Sequence, residues 1–331
     1  MAEKFIPTEI NVGVVGLGLM GSSIVVSLLI AGHKVKAVAP VPEDVITAPS
    51  HIRDELILCD KSGLLKRPVD AYLSDLVITE DYWHLSDCSL VMECVIENLE
   101  VKKVVYKKIL SVVKEDTILA SNTSAIPISI LQQFIHLPER FMGIHWAEPA
   151  FATRFLEITC GDKTDRRHAE WVFDLALTWG KEPTLLKKDI RGFITNRLMY
   201  ATYREALHLV ETKQTTLIDV DKACRYDAGS WMTLMGIFRR MDFNGLQYYS
   251  KIFNSVFPIL SNNDEVHVIM QHMVEINARG VHNQKGLYPY TKEEGLKWER
   301  AFAAFNQEIF HLAASYPCET IRERQLETVI S

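Results

Sequence analysis

Ile10-Asn-Val-Gly-Val-Val15 runs directly into Gly16-Leu17-Gly18-Leu19-Met20-Gly21, and Ser22-Ser-Ile-Val-Val-Ser-Leu-Leu-Ile30 follows before Gly32. The first run is short and apolar, which predicts a buried strand. The last stays apolar for more than two turns and stops at a glycine, which predicts a helix. Between them stands G-x-G-x-x-G. Gly16 permits the tight turn, Gly18 lets the backbone approach a pyrophosphate, and Gly21 lets the helix pack on the strand, so that the helix N-terminus faces the phosphates. Lys34-Val-Lys-Ala-Val38 supplies the next strand. Strand, motif, helix and strand within ~30 residues predict a dinucleotide site at 16–21 rather than a plain turn.

One part of such a unit is missing. The acid that accepts from the adenosine ribose belongs at the end of the second strand, where this chain has Ala39 and Pro40, with Glu43 and Asp44 just beyond. No Arg or Lys follows closely enough to hold a 2′-phosphate, so the residues favour NAD and leave NADP open. Helical spacing covers His51 to Gly63 and Val69 to Leu76, and Leu76-Val-Ile-Thr79 reads as a strand. The run Leu85 to Ile96 enters another, with Glu97-Asn-Leu-Glu-Val-Lys102 at its C-terminal end. A helix over Lys103 to Val113 and a strand over Thr117 to Ala120 lead to Ser121-Asn-Thr-Ser124. Ligands bind at such C-terminal strand ends in an open parallel sheet, although Ser124 before Ile126-Pro127 also reads as a helix cap.

The segment Phe141 to Glu157 carries His145 near one end and Glu157 at the other. Ile144 and Phe155-Leu-Glu-Ile158 are strand-like and the Pro149 region must turn, which would bring the two side chains together. A histidine oriented by a carboxylate is a general base, while a packed histidine beside a surface glutamate is the plainer reading of the segment by itself. Gly192-Phe-Ile-Thr-Asn196 then opens a largely helical half, and Asn196 within its apolar run needs hydrogen-bond partners or aims at a crevice.

With 331 residues, 48% hydrophobic, 24% charged and a net charge of −6, the chain suits two soluble domains. That charge disfavours nucleic acid or an anionic membrane as partner and points to small molecules. Six cysteines without a C-x-x-C pair read as reduced thiols, not metal ligands. Residues 1–8 lack a signal-peptide pattern and no apolar stretch reaches the ~18 residues of a membrane span, so the expected location is cytoplasmic.

Taken together, Gly16 to Gly21, Glu97 to Lys102, Ser121 to Ser124, the H-x-x-x-P of His145 to Pro149, Leu156-Glu157, Gly192-Phe-Ile-Thr-Asn-Arg197, Met235-Gly-Ile-Phe238 with Asp242-Phe-Asn-Gly-Leu246, and Gly286-Leu-Tyr-Pro-Tyr290 resemble the 3-hydroxyacyl-CoA dehydrogenase family. The resemblance covers Val12 to about Tyr290. It implies an α/β fold, a Rossmann-type mostly parallel sheet followed by an all-α C-terminal domain. Residues 1–188 would form the dinucleotide-binding domain, 189–290 a helical substrate and dimerisation domain, and 291–331 a helical extension. It further implies hydride transfer between the 3-hydroxyl carbon of a 3-hydroxyacyl compound and NAD(P). His145 would be the base, Glu157 its partner, Ser124 and Asn196 the polar contacts on the substrate oxygen. Glu97, Lys102, Ser124 and Glu148 would join the glycine loop in holding the cofactor, with a homodimer as the assembly.

Several residues depart from the family pattern. Ala39 replaces the ribose acid, Glu148 stands in place of an asparagine, His282 in place of a lysine, and Met235-Gly-Ile lacks a proline. The stretch between the second strand and Leu76 is short where acyl-CoA contacts belong, which leaves a CoA ester and a free 3-hydroxy acid both open. A dinucleotide-binding structural or regulatory protein without turnover is the alternative from another class. A dehydrogenase of another small hydroxy acid, such as carnitine or gulonate, or one of the lysine-dependent hydroxyacid type, is the alternative within the same class. In the helical half, helices are predicted over Arg197–Val210, Leu217–Tyr226 and Leu234–Val256. Trp298, Phe302, Phe305, Ile309 and Leu312 lie at helical spacing in a last amphipathic helix that would dock on the body or on a partner subunit.

Overall fold

The computed structural model describes residues 5–315. They form two compact units, one ending at Asn196 and the other beginning at Arg197.

The first unit holds eight strands: β1 (Asn11–Val15), β2 (Lys34–Val38), β3 (Leu76–Thr79), β4 (Leu90–Glu93), β5 (Ile118–Ser121), β6 (Phe141–Trp146), β7 (Phe155–Cys160) and β8 (Glu182–Leu186). They make one sheet in the order β3-β2-β1-β4-β5-β6-β7-β8. All neighbours are parallel except β6 and β7, which run antiparallel. Both faces are covered, so the strands are apolar on both sides: Val14, Leu90 and Met92 pack into one cluster, Val15 and Val91 into the other. The strand order reverses at β1, which has β2 on one side and β4 on the other. A crevice outside the C-terminal strand ends is expected at such a reversal.

Six helices accompany the sheet: α1 (Leu19–Ala31), α2 (Pro42–Lys61), α3 (Val69–Leu73), α4 (Leu99–Leu110), α5 (Ile128–Leu131) and α6 (Arg166–Leu177). Two begin earlier than their apolar spacing predicts, and the reason lies in the residues at their N-termini. Pro42 leads α2 with Glu43 and Asp44 in its first turn, nine residues ahead of His51. The Asn98 side chain accepts from the Glu100 and Val101 amides and so starts α4 before Lys103. The α6–β8 segment adds an edge strand that the sequence reading did not separate from the domain boundary.

The second unit is helical: α7 (Thr195–Glu211), whose first two residues close the first unit, α8 (Leu217–Ala223), α9 (Gly229–Asn244), α10 (Leu246–Val256), α11 (Val268–Glu275) and α12 (Lys292–Ser315). The run expected over Leu234–Val256 is kinked at Gly236, at φ 71°, and divided by Gly245, at φ 97°. Only glycine enters that region without steric cost. The helix expected at Leu217–Tyr226 passes through a π-helical turn at Cys224–Ala228 into α9. Residues 316–331 of the expected extension, with Cys318, lie outside the described residues.

Candidate active site

The site is assembled from the C-terminal ends of β1, β4, β5 and β6, together with β7 and the connector into α7. After β1, Gly16 adopts φ 99°, and a Cβ there would stand 2.8 Å from the Cys94 carbonyl oxygen. A Cβ on Gly21 would lie only 1.8 Å from the Gly16 carbonyl oxygen, so α1 rests on the loop itself. Nothing lies within 4 Å of the Cβ position of Gly18. Ser22 Oγ donates to the Leu17 carbonyl at 2.9 Å and Leu17 is buried, while Leu19 is exposed, Met20 is half-buried, and α1 has no side-chain cap. Its first amides are therefore open to an anion. At the end of β2, Ala39 is packed into the apolar cluster, and Glu43 and Asp44 sit in the first turn of α2.

Glu93 ends β4 fully buried, and its carboxylate accepts from Lys102 Nζ at 2.7 Å, Tyr106 OH at 2.8 Å, Ser121 Oγ at 2.7 Å and the Val95 amide at 2.8 Å. A buried carboxylate survives only when matched in this way. Lys102, 1% exposed, also approaches Glu97 Oε2 at 3.3 Å. Glu97 in turn accepts from the Thr123 hydroxyl and from the Ala125 and Ile126 amides at 3.0 and 3.3 Å. Burial opposes its charge, yet the Thr123 hydroxyl, the Lys102 ammonium and the Ala125 amide outweigh that and hold its carboxyl below the usual value. Glu97 and Lys102 are thus joined to each other and to the turn that carries Ser124. Glu93, which holds Lys102, was not singled out in the sequence. An acid inside the apolar run Leu-Val-Met-Glu-Cys94 was the available signal.

Across β6 and β7, His145 and Glu157 are direct cross-strand partners. His145 Nδ1 lies 3.0 Å from Glu157 Oε2, the glutamate is fully buried, and the imidazole is 16% exposed. The other oxygen, Glu157 Oε1, accepts the Ile194 amide at 2.6 Å. Because Nδ1 faces a carboxylate acceptor, the proton of the neutral imidazole sits on Nδ1 and the lone pair on Nε2. Asn196 Nδ2 donates to the Ser124 carbonyl at 3.3 Å, and Ser124 itself is exposed. Asn122 Oδ1 accepts the Trp146 amide at 3.0 Å and ties the end of β5 to β6. His145 with Glu157 and Ser124 with Asn196 are thus two hydrogen-bonded pairs, both reached by the connector that carries Ile194 and Asn196. Glu148 stands apart from them: it is exposed, and burial together with the nearby Glu148 charge pushes the Glu55 carboxyl on α2 up to about 7.

The turn between His145 and Glu157 is anchored from behind. Lys181, 3% exposed, donates to the carbonyls of Ala150 and Thr153 with its ammonium 5.2 Å from the Trp146 ring centroid. The Ala150 amide donates to Ser23 Oγ on α1 at 2.8 Å. Burial, with Arg154 adding to it, pulls the Lys181 amine down to about 7. Lysine at this place gave no sequence signal, since a buried and a solvated lysine look alike in a polar stretch.

Residues 11–190 match the NAD-binding domain of 3-hydroxyacyl-CoA dehydrogenase, and residues 192–290 match the C-terminal domain of the same enzyme. The chain belongs to the 3-hydroxyacyl-CoA dehydrogenase family. Among its relatives, 5-formyl-3-hydroxy-2-methylpyridine 4-carboxylate 5-dehydrogenase of Mesorhizobium japonicum is 32% identical over 294 residues, covering 88% of this chain and 94% of that one. The mitochondrial hydroxyacyl-coenzyme A dehydrogenase of Sus scrofa is 30% identical over 291 residues, covering 85% and 91%. A crystal structure of the pyridine 5-dehydrogenase, described as an NAD+-dependent dismutase, superposes with a TM-score of 0.87 at 29% identity over 93% of this chain and 99% of that one.

The first unit of this dehydrogenase is thus an NAD-binding domain, and its residues fit the cofactor. The open position at Gly18 and the uncapped start of α1, brought against the loop by the close packing of Gly21 on Gly16, make a cradle for a pyrophosphate. Among the described residues no group of three or more His, Cys, Asp or Glu is placed to hold a metal, and no helix is long and apolar enough to cross a membrane.

Proposed function

We propose that this oxidoreductase oxidises, reversibly, the hydroxyl carbon of a 3-hydroxyacyl compound or a related small hydroxy acid, with His145 as the general base. The observation that carries the reading is the His145–Glu157 pair, whose carboxylate is held on both oxygens while the far nitrogen of the imidazole stays free to accept. NAD, when bound, supplies the hydride acceptor. His145 Nε2 takes the hydroxyl proton, Glu157 offsets the charge of the imidazolium, and Ser124 with Asn196 holds the oxygen as it becomes a carbonyl. Glu97, kept ionised by Thr123 and Lys102, serves the cofactor side of the crevice, and Lys102 acts through it.

The substrate is read as a small free acid in preference to a CoA ester. The pyridine-carboxylate dehydrogenase spans nearly the whole of both chains and acts, by its name, on a ring carboxylate. The stretch from β2 to β3 is also short for acyl-CoA contacts. As an assembly we propose a homodimer built on the helical unit, whose exposed apolar residues include Phe238, Phe243 and Trp298. Turnover on 3-hydroxyacyl-CoA, free 3-hydroxy acids and hydroxymethyl or formyl ring carboxylates, with NAD and with NADP, tests the reading. Activity on at least one of these with NAD, lowered ~10²–10⁴-fold in His145→Gln, is the expected result. A His145→Gln protein as active as the wild type would remove the base assignment.

A further inference from the structure

We propose that Phe193 is a positioning residue that fixes the tautomer and orientation of the His145–Glu157 pair, an inference that rests on the reading of His145 as base. The connector Gly192–Asn196 touches every member of the proposed catalytic group. The Ile194 amide donates to Glu157 Oε1 at 2.6 Å, the Phe193 ring packs against the His145 ring with centroids 5.7 Å apart and planes tilted by 54°, and Asn196 Nδ2 donates to the Ser124 carbonyl.

The connector is held in a particular shape. Gly192 and Phe193 are both left-handed, at φ 81° and 50°. For glycine that is ordinary, whereas for an aromatic residue it is an outlier that survives only when its surroundings demand it. Here the demand is burial: Phe193 is 1% exposed within the apolar cluster on one face of the sheet, and its amide donates to the Ile190 carbonyl at 3.1 Å. Upstream, Asp189 Oδ2 accepts the Ser129 amide at 2.7 Å. With the ring buried, the next residue's amide is aimed at Glu157. That bond fixes how the carboxylate lies, with Oε2 turned to His145 Nδ1, where it holds the imidazole proton. Without the ring, the imidazole loses the wall against its face, and the Ile194 amide loses the backbone turn that points it.

The test uses the full chain, selectively labelled with 15N-histidine, in long-range 15N–1H correlation spectra, with His145→Gln identifying the His145 signal. Phe193→Gly removes the ring and relieves the left-handed backbone; Phe193→Leu keeps an apolar wall of different shape. In the wild type, His145 should give a single Nδ1–H tautomer. In Phe193→Gly that signal should become averaged, kcat should fall about 10- to 100-fold through misplacement of the base, and the NADH dissociation constant by fluorescence should stay within about twofold. Phe193→Leu should recover part of both losses. A folded Phe193→Gly protein with the wild-type tautomer and kcat overturns the proposal. If Phe193→Gly does not fold, Phe193→Leu is read on the same measurements, with the wild-type tautomer and kcat overturning the proposal and partial loss of both supporting it. Failure of both variants to fold would make Phe193 a core residue only and also overturns the positioning role. Wild-type turnover in His145→Gln would sink the base reading separately, because the tautomer signal is read without turnover.

Discussion

Each unit of this dehydrogenase contains a histidine–glutamate pair, and the two are built alike. In the first, His145 Nδ1 meets Glu157 at 3.0 Å and the glutamate's other oxygen takes the Ile194 amide; in the second, His267 Nδ1 meets Glu211 at 2.7 Å and the other oxygen takes the Ile269 amide at 2.9 Å. The difference lies at the far nitrogen. The His145 imidazole is 16% exposed at a strand end, whereas His267 is 6% exposed and its Nε2 is buried without a partner. The same geometry therefore holds the proposed base in one place and fastens the end of α7 to the start of α11 in the other. A His–Glu pair becomes a candidate for chemistry when a substrate can reach the nitrogen opposite the carboxylate.

Removing the histidine from each pair is the sharpest way to break this contrast. His145→Gln should lower turnover ~10²–10⁴-fold with little change in NADH affinity. His267→Gln should leave kcat within about twofold and lower Tm by several degrees, since it removes a buried imidazole that ties Glu211 to the start of α11. Steady-state kinetics and thermal melts on the two variants read both effects. Equal loss of turnover in the two would collapse the distinction.

The carboxylate is next in size. Gln at 157 offers one acceptor oxygen where Glu157 offers two, so the Ile194 amide and the Nδ1–H compete for it, and the amide group of Gln faces Nδ1 when Ile194 wins. The imidazole then carries its proton on Nε2 and cannot accept one there. Glu157→Gln should therefore cost about 10- to 100-fold in kcat, less than loss of the histidine, and leave NADH binding unchanged. A kcat within twofold of wild type would show that Glu157 does not set the tautomer.

Much of this was legible beforehand, and the remainder divides along physical lines. The glycine loop, β2, β3 and the pairing of His145 with Glu157 follow from local patterns: strand-like runs, a turn at Pro149, and glycines at positions where the backbone leaves no room for Cβ. Glu93, Lys181 and Phe193 were not legible. Burial of a charge depends on partners far along the chain, as Lys181 depends on Ala150 and Thr153, and the left-handed backbone at Phe193 is imposed by tertiary packing. The start of α2 was obscured because Pro49 interrupts its apolar spacing.

The units also differ in how they bury apolar surface. In the first, Val12, Val14, Ile24 and Leu28 are fully enclosed; in the second, none of the residues of α7 to α11 is buried, and Phe238, Phe243 and Ile259 are 80, 73 and 75% exposed. Light scattering at micromolar concentration should give twice the chain mass, and Tm should rise with protein concentration as mass action requires. A monomer with a concentration-independent Tm would count against the proposed dimer.

Lys181 separates the units by pH. Its amine is held at about 7 in the folded chain against ~10.4 in an unfolded one. Between those values the unfolded chain binds more protons, so the lysine's burial penalty is full below about pH 7 and disappears as pH rises towards 10.4. Lys181→Met should flatten that slope between pH 7 and 9.5 in thermal melts and raise Tm by a few degrees at pH 7. An unchanged slope would mean that the two carbonyls and the Trp146 ring compensate the buried charge in full.

The smallest effect belongs to Glu211, and its sign is opposite. The Ile269 amide and the His267 side chain hold its carboxyl below the usual value although it is 26% exposed. A depressed carboxyl contributes stability that is present above its unfolded value, ~4.3, and is lost as pH falls through the folded one. Glu211→Gln removes that dependence and leaves one oxygen for two donors, so it should lower Tm by about 1–3 °C at pH 7 and by less at pH 4, where the wild type has already lost part of the contribution. Turnover should not change, in contrast to Glu157→Gln, although the two substitutions disturb the same arrangement. A Glu211→Gln protein with kcat reduced tenfold and an unaltered Tm would mean that the second pair takes part in the reaction, and that access to the far nitrogen is not what distinguishes the two.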